Sequence, residues 1–267
     1  MPEPVRGALA PAKRAYLRYG PGPRLDQERW DKEWIAYFRR APNYFDDFST
    51  PNADSRRRVA RVAAAVGTTF DGARGPVDES NPVWSIWAIG CHPAEISGRA
   101  VADLGCGAGG IGRTLGYVAD SYLGIDYSPL ALRVATLVSP PSCRYVLRSS
   151  RGELRRAAGS VDTAFSRSVF IHQNFDQAVE LATLAAGLVK PGGVLAVDYR
   201  RPDTDEQGNH LEPPRSARSP LLRGFPSASY YFTDDEIAEV GDRAGLALDA
   251  IIEVPERSWR IARYRRT

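Results

Sequence analysis

The residues with the clearest chemical purpose are Asp103-Leu104-Gly105-Cys106-Gly107-Ala108-Gly109-Gly110. Glycine has no Cβ, so such a run lets the backbone turn tightly and approach a ligand closely. The amides near Ile111 then point at that ligand from the start of a helix. Gly105, Gly107 and Gly110 satisfy G-x-G-x-x-G, a spacing shared by all dinucleotide-type folds, so an NAD(P)-dependent oxidoreductase stands as one alternative. Asp103 narrows the choice. A carboxylate just before the first glycine would repel a pyrophosphate but suits a ligand carrying an ammonium and a sulfonium. Asp126 lies 21 positions after Gly105 and ends the next apolar run. A carboxylate there can accept both ribose hydroxyls of an adenosine. Blander roles exist for each position: Asp103 as a strand-end carboxylate, Cys106 as a small packing residue, Tyr127 as surface packing.

These residues need strands and helices to hold them. Short apolar runs at 100–102, 121–126, 144–147, 161–165 and 194–198 alternate with helix signals. Ser128-Pro129 reads as an N-cap with proline at the first helical position. Asn174 to Gln177 and Thr233 to Glu236 read as capping boxes, and Phe175, Ala178, Val179, Ala182, Ala185 and Leu188 give the first of these helices one apolar stripe. Strands alternating with helices predict a parallel sheet with right-handed crossovers. Residues 246–254 and 258–264 have no helix between them and should pair antiparallel at one end of the sheet. Upstream, 27–40 and 54–66 have helical spacing, whereas 1–24, with five prolines, reads as an arm or strap.

In order along the chain, Val101 to Gly110, Gly124-Ile-Asp-Tyr-Ser-Pro129, Val161 to His172 and Lys190-Pro-Gly-Gly193 resemble the class I S-adenosylmethionine (SAM)-dependent methyltransferases. Residues 231–237 through 244–246 are similar to the family's late helix and following strand. The resemblance covers about residues 96–200 and 228–267. It implies an α/β fold, a doubly wound, mostly parallel seven-stranded sheet with an antiparallel last strand. It implies SAM as cofactor and S-adenosylhomocysteine as product; separately, the residues offer no metal constellation, since Asp46-Asp47 reads as a cap loop and Asp234-Asp235 as a helix N-terminus. Asp103 and Gly105 would lie near the methionine moiety, and Cys106, Gly107, Gly109 and Ser168 are further cofactor-binding candidates. Asp126 would hold the ribose and Tyr127 would sit beside the adenine. One departure stands out: Ser150 occupies the position where many members carry an acidic residue for the adenine amino group. A hydroxyl can still accept one hydrogen bond.

Methyl transfer from a sulfonium is an in-line displacement, so the protein mainly aligns the acceptor and excludes water. An alcohol acceptor must also lose a proton, which calls for a base. There are three histidines. His172 follows the fourth strand, at the sheet edge where ligands bind in such folds, and is the first candidate; packing on SAM is the alternative. His210, in a polar, proline-rich insert, is a second, and His92 reads as structural. Asp198 ends the fifth strand and could bind an acceptor amine, orient a base or pair with an arginine. Tyr199 beside it and Tyr44 upstream are candidate acceptor contacts. The stripe Trp30, Trp34, Tyr37, Phe38 could form an acceptor pocket over SAM but is read first as the core of a cap.

The expected organisation is a helical N-terminal cap, residues 1–95, and a SAM-binding core, residues 96–267, with a lid insert at 200–227. Formal net charge is +3 and the basic residues form no stripe, which argues against nucleic acid as partner. Arginine, alanine and proline usage points to a bacterial, GC-rich source. Three cysteines without C-x-x-C indicate neither a disulfide framework nor a zinc site and fit a cytoplasmic setting. No run is apolar enough for a membrane span. The expected activity is methylation of a small molecule, with a sugar, glycan or secondary-metabolite hydroxyl favoured. Nitrogen or carbon transfer and a non-catalytic SAM-fold protein are further alternatives. The oligomeric state is left open, a homodimer included.

Overall fold

The structure is a computed structural model. It describes residues 22–40, 52–67, 70, 90–201, 230–254 and 259–267. Tyr44, His210, residues 202–227 of the expected lid and most of the expected N-terminal arm lie outside these residues.

Seven strands form one sheet: β1 (Ala100–Leu104), β2 (Ser121–Asp126), β3 (Cys143–Leu147), β4 (Val161–Ser166), β5 (Val189–Arg200), β6 (Leu246–Glu253) and β7 (Trp259–Arg266). Their order is β3-β2-β1-β4-β5-β7-β6. The first five strands pair in parallel. β7 runs antiparallel to both β5 and β6, between them. The doubly wound sheet implied by the resemblance is therefore present, and the predicted antiparallel pair stands at one end. Strand order reverses between β1 and β4, which opens a crevice at their carboxyl ends, the usual ligand position in open α/β sheets.

The two-residue period of a strand divides the core. On β5, Leu195, Val197 and Tyr199 join the larger cluster, while Ala196 faces the smaller cluster around Leu115, Tyr122 and Phe165. Arg263 of β7 is buried on the smaller side. Its guanidinium donates to Glu95 Oε1 at 2.7 Å and Oε2 at 3.1 Å, tying the short 3-10 turn Pro93–Glu95 to the last strand.

The helices begin where local chemistry starts them. Ser128 Oγ accepts from the Ala131 N–H at the start of α4 (Pro129–Val138), after the short α3 (Gly112–Leu115). α5 is Arg151–Arg156. α6 (Phe175–Leu188) and α7 (Asp234–Arg243) each open on the capping box read from the sequence. Two helices precede the sheet: α1 (Gly22–Arg40) and α2 (Ala53–Val66). α1 starts five residues earlier than its apolar spacing suggests and absorbs the end of the expected strap. Pro23 does not prevent this, because the first turn of a helix needs no N–H partners there. Phe38, Val59, Val62 and Ala63 from these two helices pack with Ala108, Val134 and Val138, so α1 and α2 share a core with the glycine loop and α4. Among the described residues, no helix is long and apolar enough to cross a membrane.

Candidate active site

A cavity of about 710 Å³ opens at the carboxyl edge of β1, β2 and β4. Its floor is the glycine loop. Gly105, the first residue after β1, has φ +82°. Its N–H donates to Ile125 O at 2.7 Å, which fixes the turn to the end of β2. Gly107 has φ +52°, and a Cβ there would stand 2.4 Å from the Trp34 indole. Helix α1 thus lies directly on the loop. Gly109 does different work from the expected ligand contact: it lets α4 approach, since its Cβ would fall 2.8 Å from Ala135 Cα. Gly110 and Ile111 reach the cavity instead.

Two carboxylates stand at the ends of adjacent strands. Asp126 lines the cavity and accepts from the Gly107 N–H at 2.9 Å and the Ser128 N–H at 2.8 Å. Burial pushes its carboxyl up, against the pull of these amides. Asp103 is 1% exposed and accepts a hydrogen bond from the Tyr122 hydroxyl. Burial pushes the Asp103 carboxyl up to about 7; the Tyr122 bond opposes this and the nearby Asp126 charge adds to it. Beside them Tyr127 lines the cavity, with the Arg148 guanidinium 4.7 Å from its ring centroid. Cys106 also lines the wall, but it is buried, its thiol pushed well up by burial and its Sγ directed at Gly107 O. It is a packing residue with no trace of an activated thiol.

The opposite wall comes from the segment after β4. Arg167, Ser168, Val169, His172 and Gln173 line it. Ser168 has a positive φ of 57°, rare for a side-chain-bearing residue. Its N–H donates to Asp198 Oδ1 at 2.6 Å, and the Arg167 guanidinium donates to Asp198 Oδ2. The buried Asp198 carboxylate is therefore committed to holding this turn. Of the sequence alternatives, pairing with an arginine describes its position, and it stands behind the cavity wall. Arg167 also lies 5.3 Å from the ring centroid of Trp259. His172 ends the 3-10 turn Phe170–His172 and meets Trp30 edge-on, ring centroids 5.5 Å apart.

The roof is α1. Trp30, Glu33, Trp34 and Tyr37 line the cavity, while Phe38 is buried in the helical core. Trp34 also packs against that core, so both readings of the stripe apply: Phe38 and Trp34 belong with the helical core, while Trp30, Trp34 and Tyr37 line the cavity. Positions 30, 34 and 37 share a helical face, and that face looks onto the cavity. Asp31 docks the helix: its Oδ1 accepts from the Ser128 hydroxyl and from the Leu130 N–H at 3.1 Å. An aspartate at the N-terminus of α4 also meets the positive end of the helix dipole. Gln27 adds a bond to Ser149 Oγ at 2.8 Å.

Two expected contacts are corrected. Ser150 does not line the cavity; it sits at the N-cap of α5, where its carbonyl accepts from the Glu153 and Leu154 N–H groups. Tyr199 is fully buried, with its hydroxyl on Asp234 at 2.6 Å. Strand alternation puts it on the sheet face opposite Asp198, inside the main core. The residues missed from sequence are Glu33 and Gln173 as lining and Tyr122 as the partner of Asp103; for Trp30, Trp34 and Tyr37 the pocket is the second reading of the sequence. The i, i+4, i+7 spacing of the aromatics carries a signal that they act together, though not what they face.

The donor set fits a sulfonium-bearing nucleoside. Positive-φ glycines form the cavity floor, one buried carboxylate could meet a cation, a second could meet a ribose diol, and an aromatic ring lines the cavity beside the second. Among the described residues, no group of three or more His, Cys, Asp or Glu could hold a metal ion. Comparison with known proteins agrees with this chemistry. Residues 101–193 match a family described as a methyltransferase domain. The ubiquinone biosynthesis O-methyltransferase of Cupriavidus pinatubonensis is 28% identical over 176 residues, 65% of this chain and 69% of that protein. The enzyme of the same name from Albidiferax ferrireducens is 30% identical over 151 residues, 54% of this chain and 58% of that one. The crystal structure of magnesium protoporphyrin IX methyltransferase from Synechocystis PCC 6803 with bound SAH covers 90% of this chain and 98% of its own, with TM-score 0.51 and 16% identity. That last likeness is one of fold.

Proposed function

The chain belongs to the class I SAM-dependent methyltransferases, and from that premise we propose that it transfers the methyl group of SAM to a hydroxyl of a small molecule held beneath α1. One observation carries the reading: the glycine loop with its two carboxylates, and a histidine on the opposite wall, share one aromatic-roofed cavity. SAM supplies an already activated methyl group. Asp126 binds the ribose hydroxyls, Tyr127 flanks the adenine, and Asp103 with the loop at Gly105 and Gly107 faces the methionine end. Ser168 holds the turn that shapes this end of the cavity. The roof of Trp30, Trp34 and Tyr37 excludes water and lies against the acceptor. His172 takes the proton that the acceptor hydroxyl must release. A sugar, glycan or secondary-metabolite hydroxyl fits an aromatic roof over a largely apolar wall that carries a few polar groups, Ser168 and His172 among them. The sequence relatives named above support a small-molecule acceptor, since their names describe O-methylation in ubiquinone biosynthesis.

The test is transfer itself. Methyl-labelled SAM and a bacterial small-molecule extract, incubated with the protein, should yield a labelled component heavier by one methylene. Label on nitrogen or carbon would overturn the oxygen assignment. Cofactor binding without label in any component would point to a non-catalytic protein.

Asp103 gives a pH signature. Its raised pKa means that the ligand-free site holds the proton below about 7. Binding a cation requires the carboxylate, so association releases that proton. S-Adenosylhomocysteine affinity, followed by calorimetry, should rise by up to about tenfold per pH unit below 7 and level off above it. The ligand-free fold has the opposite slope: its stability falls as pH rises from the ordinary aspartate value of 3.8 towards 7, because the folded state binds more protons than the unfolded one. A flat affinity profile would remove Asp103 from the ligand's cationic end.

A further inference from the structure

Tyr122 is buried in the smaller apolar cluster with Val101, Leu115 and Phe165, and it does not line the cavity. The rings of Tyr145 and Phe165 hold its own ring, centroids 6.1 Å and 6.5 Å away. Helix α3 makes room for it at Gly112, where a Cβ would stand 2.8 Å from Tyr122 Cε1. A phenylalanine would fill this space equally well, and burying a phenol hydroxyl costs free energy unless it finds a partner. The partner is Asp103, whose Oδ2 accepts the hydroxyl's one proton. Strand pairing makes the contact: Val101 lies beside Tyr122, and Asp103 is two residues further along the same face of β1. Asp126 draws on two backbone amides. Among the described residues, Asp103 draws on Tyr122 alone. Since Asp103 lines the cavity, Oδ1 is the oxygen left for a ligand.

We propose that Tyr122 is a positioning residue for the cofactor: its hydroxyl keeps Asp103 charged and leaves Oδ1 to receive the ammonium of the methionine end. This rests on the reading of the cavity as a SAM site. The other ionisable groups that act on Asp103 are acidic: Asp126 from the end of β2, the Cys106 thiol from the glycine loop and the Tyr145 phenol from β3. Strand β4 brings only Phe165 beside it. Glu33, Arg167 and His172 stand in the other walls of the cavity, Arg167 paired with Asp198. Burial and the Asp126 charge favour the neutral carboxyl, and the phenol opposes them. A hydrogen bond donated to a carboxylate favours its charged form. Tyr122 therefore sets the pH at which the site accepts a cation, without touching the ligand.

The experiment is calorimetry on the full chain with two probes, S-adenosylhomocysteine and methylthioadenosine. The second keeps the nucleoside and thioether but has no ammonium. Tyr122→Phe keeps the ring and removes the donor, so Asp103 holds its proton to higher pH. S-Adenosylhomocysteine affinity should then fall about tenfold at about pH 6, and by less than about threefold at about pH 8.5, where the carboxylate is largely charged in both proteins. Methylthioadenosine should bind both proteins alike at each pH. Tyr145→Phe removes a hydroxyl that pairs with Ser139 from the neighbouring ring, and should bind both probes as the wild type does. An unchanged S-adenosylhomocysteine affinity of Tyr122→Phe at the lower pH, or equal losses at both, would overturn the proposal. A parallel loss of methylthioadenosine, or the same loss in Tyr145→Phe, would also overturn it, by making the effect one of packing. Failure of the wild-type chain to bind S-adenosylhomocysteine would instead remove the reading of the site on which the proposal rests.

Discussion

Gly105→Val is expected to abolish cofactor binding in a chain that still folds. Two costs meet at this position. With φ +82°, any side chain is strained, a β-branched one most of all. In addition, a Cβ would stand 2.2 Å from Val169 Cγ2, inside any allowed contact. Val169 belongs to the cavity wall, between the turn at Ser168 and His172, so relief of the clash deforms both walls at once. Gly98 provides the control. Its φ is +66°, yet nothing lies within 4 Å of a Cβ there. Gly98→Val carries the backbone strain, roughly 1–2 kcal/mol for a left-handed residue, without the clash. S-Adenosylhomocysteine affinity should fall by about three orders of magnitude or more in Gly105→Val and change by less than about threefold in Gly98→Val. Equal losses would assign the effect to folding. Retained binding in Gly105→Val would mean that the ligand does not approach the loop.

The second large effect is on turnover. His172→Phe should lower kcat by about 100- to 10,000-fold, the usual contribution of a positioned base, with S-adenosylhomocysteine affinity nearly unchanged. Phenylalanine is chosen over alanine because His172 meets Trp30 edge-on. An aromatic replacement retains that contact with the roof and removes only the nitrogen lone pair. A base also leaves a mark on the pH profile: kcat of the wild type should rise with pH and then level, and the variant should lack that rising limb. A wild-type rate in His172→Phe would exclude the histidine as base and shift the acceptor towards nitrogen or carbon, which give up no proton before transfer.

Much of this site is legible in the sequence because the relevant chemistry is local. Ser128-Pro129, Asn174 with Gln177 and Thr233 with Glu236 each cap a helix within four residues, and all three do so in the structure. Asp103 and Asp126 are placed by the ends of their own strands, and both line the cavity. What is not legible depends on partners far along the chain. Tyr122 reaches Asp103 only because β1 and β2 pair with Val101 beside Tyr122. Asp198 and Tyr199 look equivalent at the end of a strand, yet alternation sends one to the turn at Ser168 and the other into the core. The aromatic stripe of α1 shows which residues share a face. Whether that face meets core or cavity is decided by Asp31 docking on α4, a contact nearly a hundred positions away.

The seat of β7 between β5 and β6 has a consequence for synthesis. Strands β1 to β5 emerge from the ribosome in an order that lets each add beside one already made, but β6 cannot reach its place until β7 exists. Until then β5 offers an open edge along Val194 to Arg200, the row that β7 later covers, and an open apolar edge invites pairing with other chains. Non-local closure of this kind is slow. The late strand also brings Trp259, against which Arg167 rests at the cavity wall. A nascent chain can therefore have its glycine loop formed while the opposite wall still lacks its support. The competent pocket and the closed sheet arrive together, near the end of translation of this domain, so a chain stalled before residue 259 is both inactive and prone to aggregate.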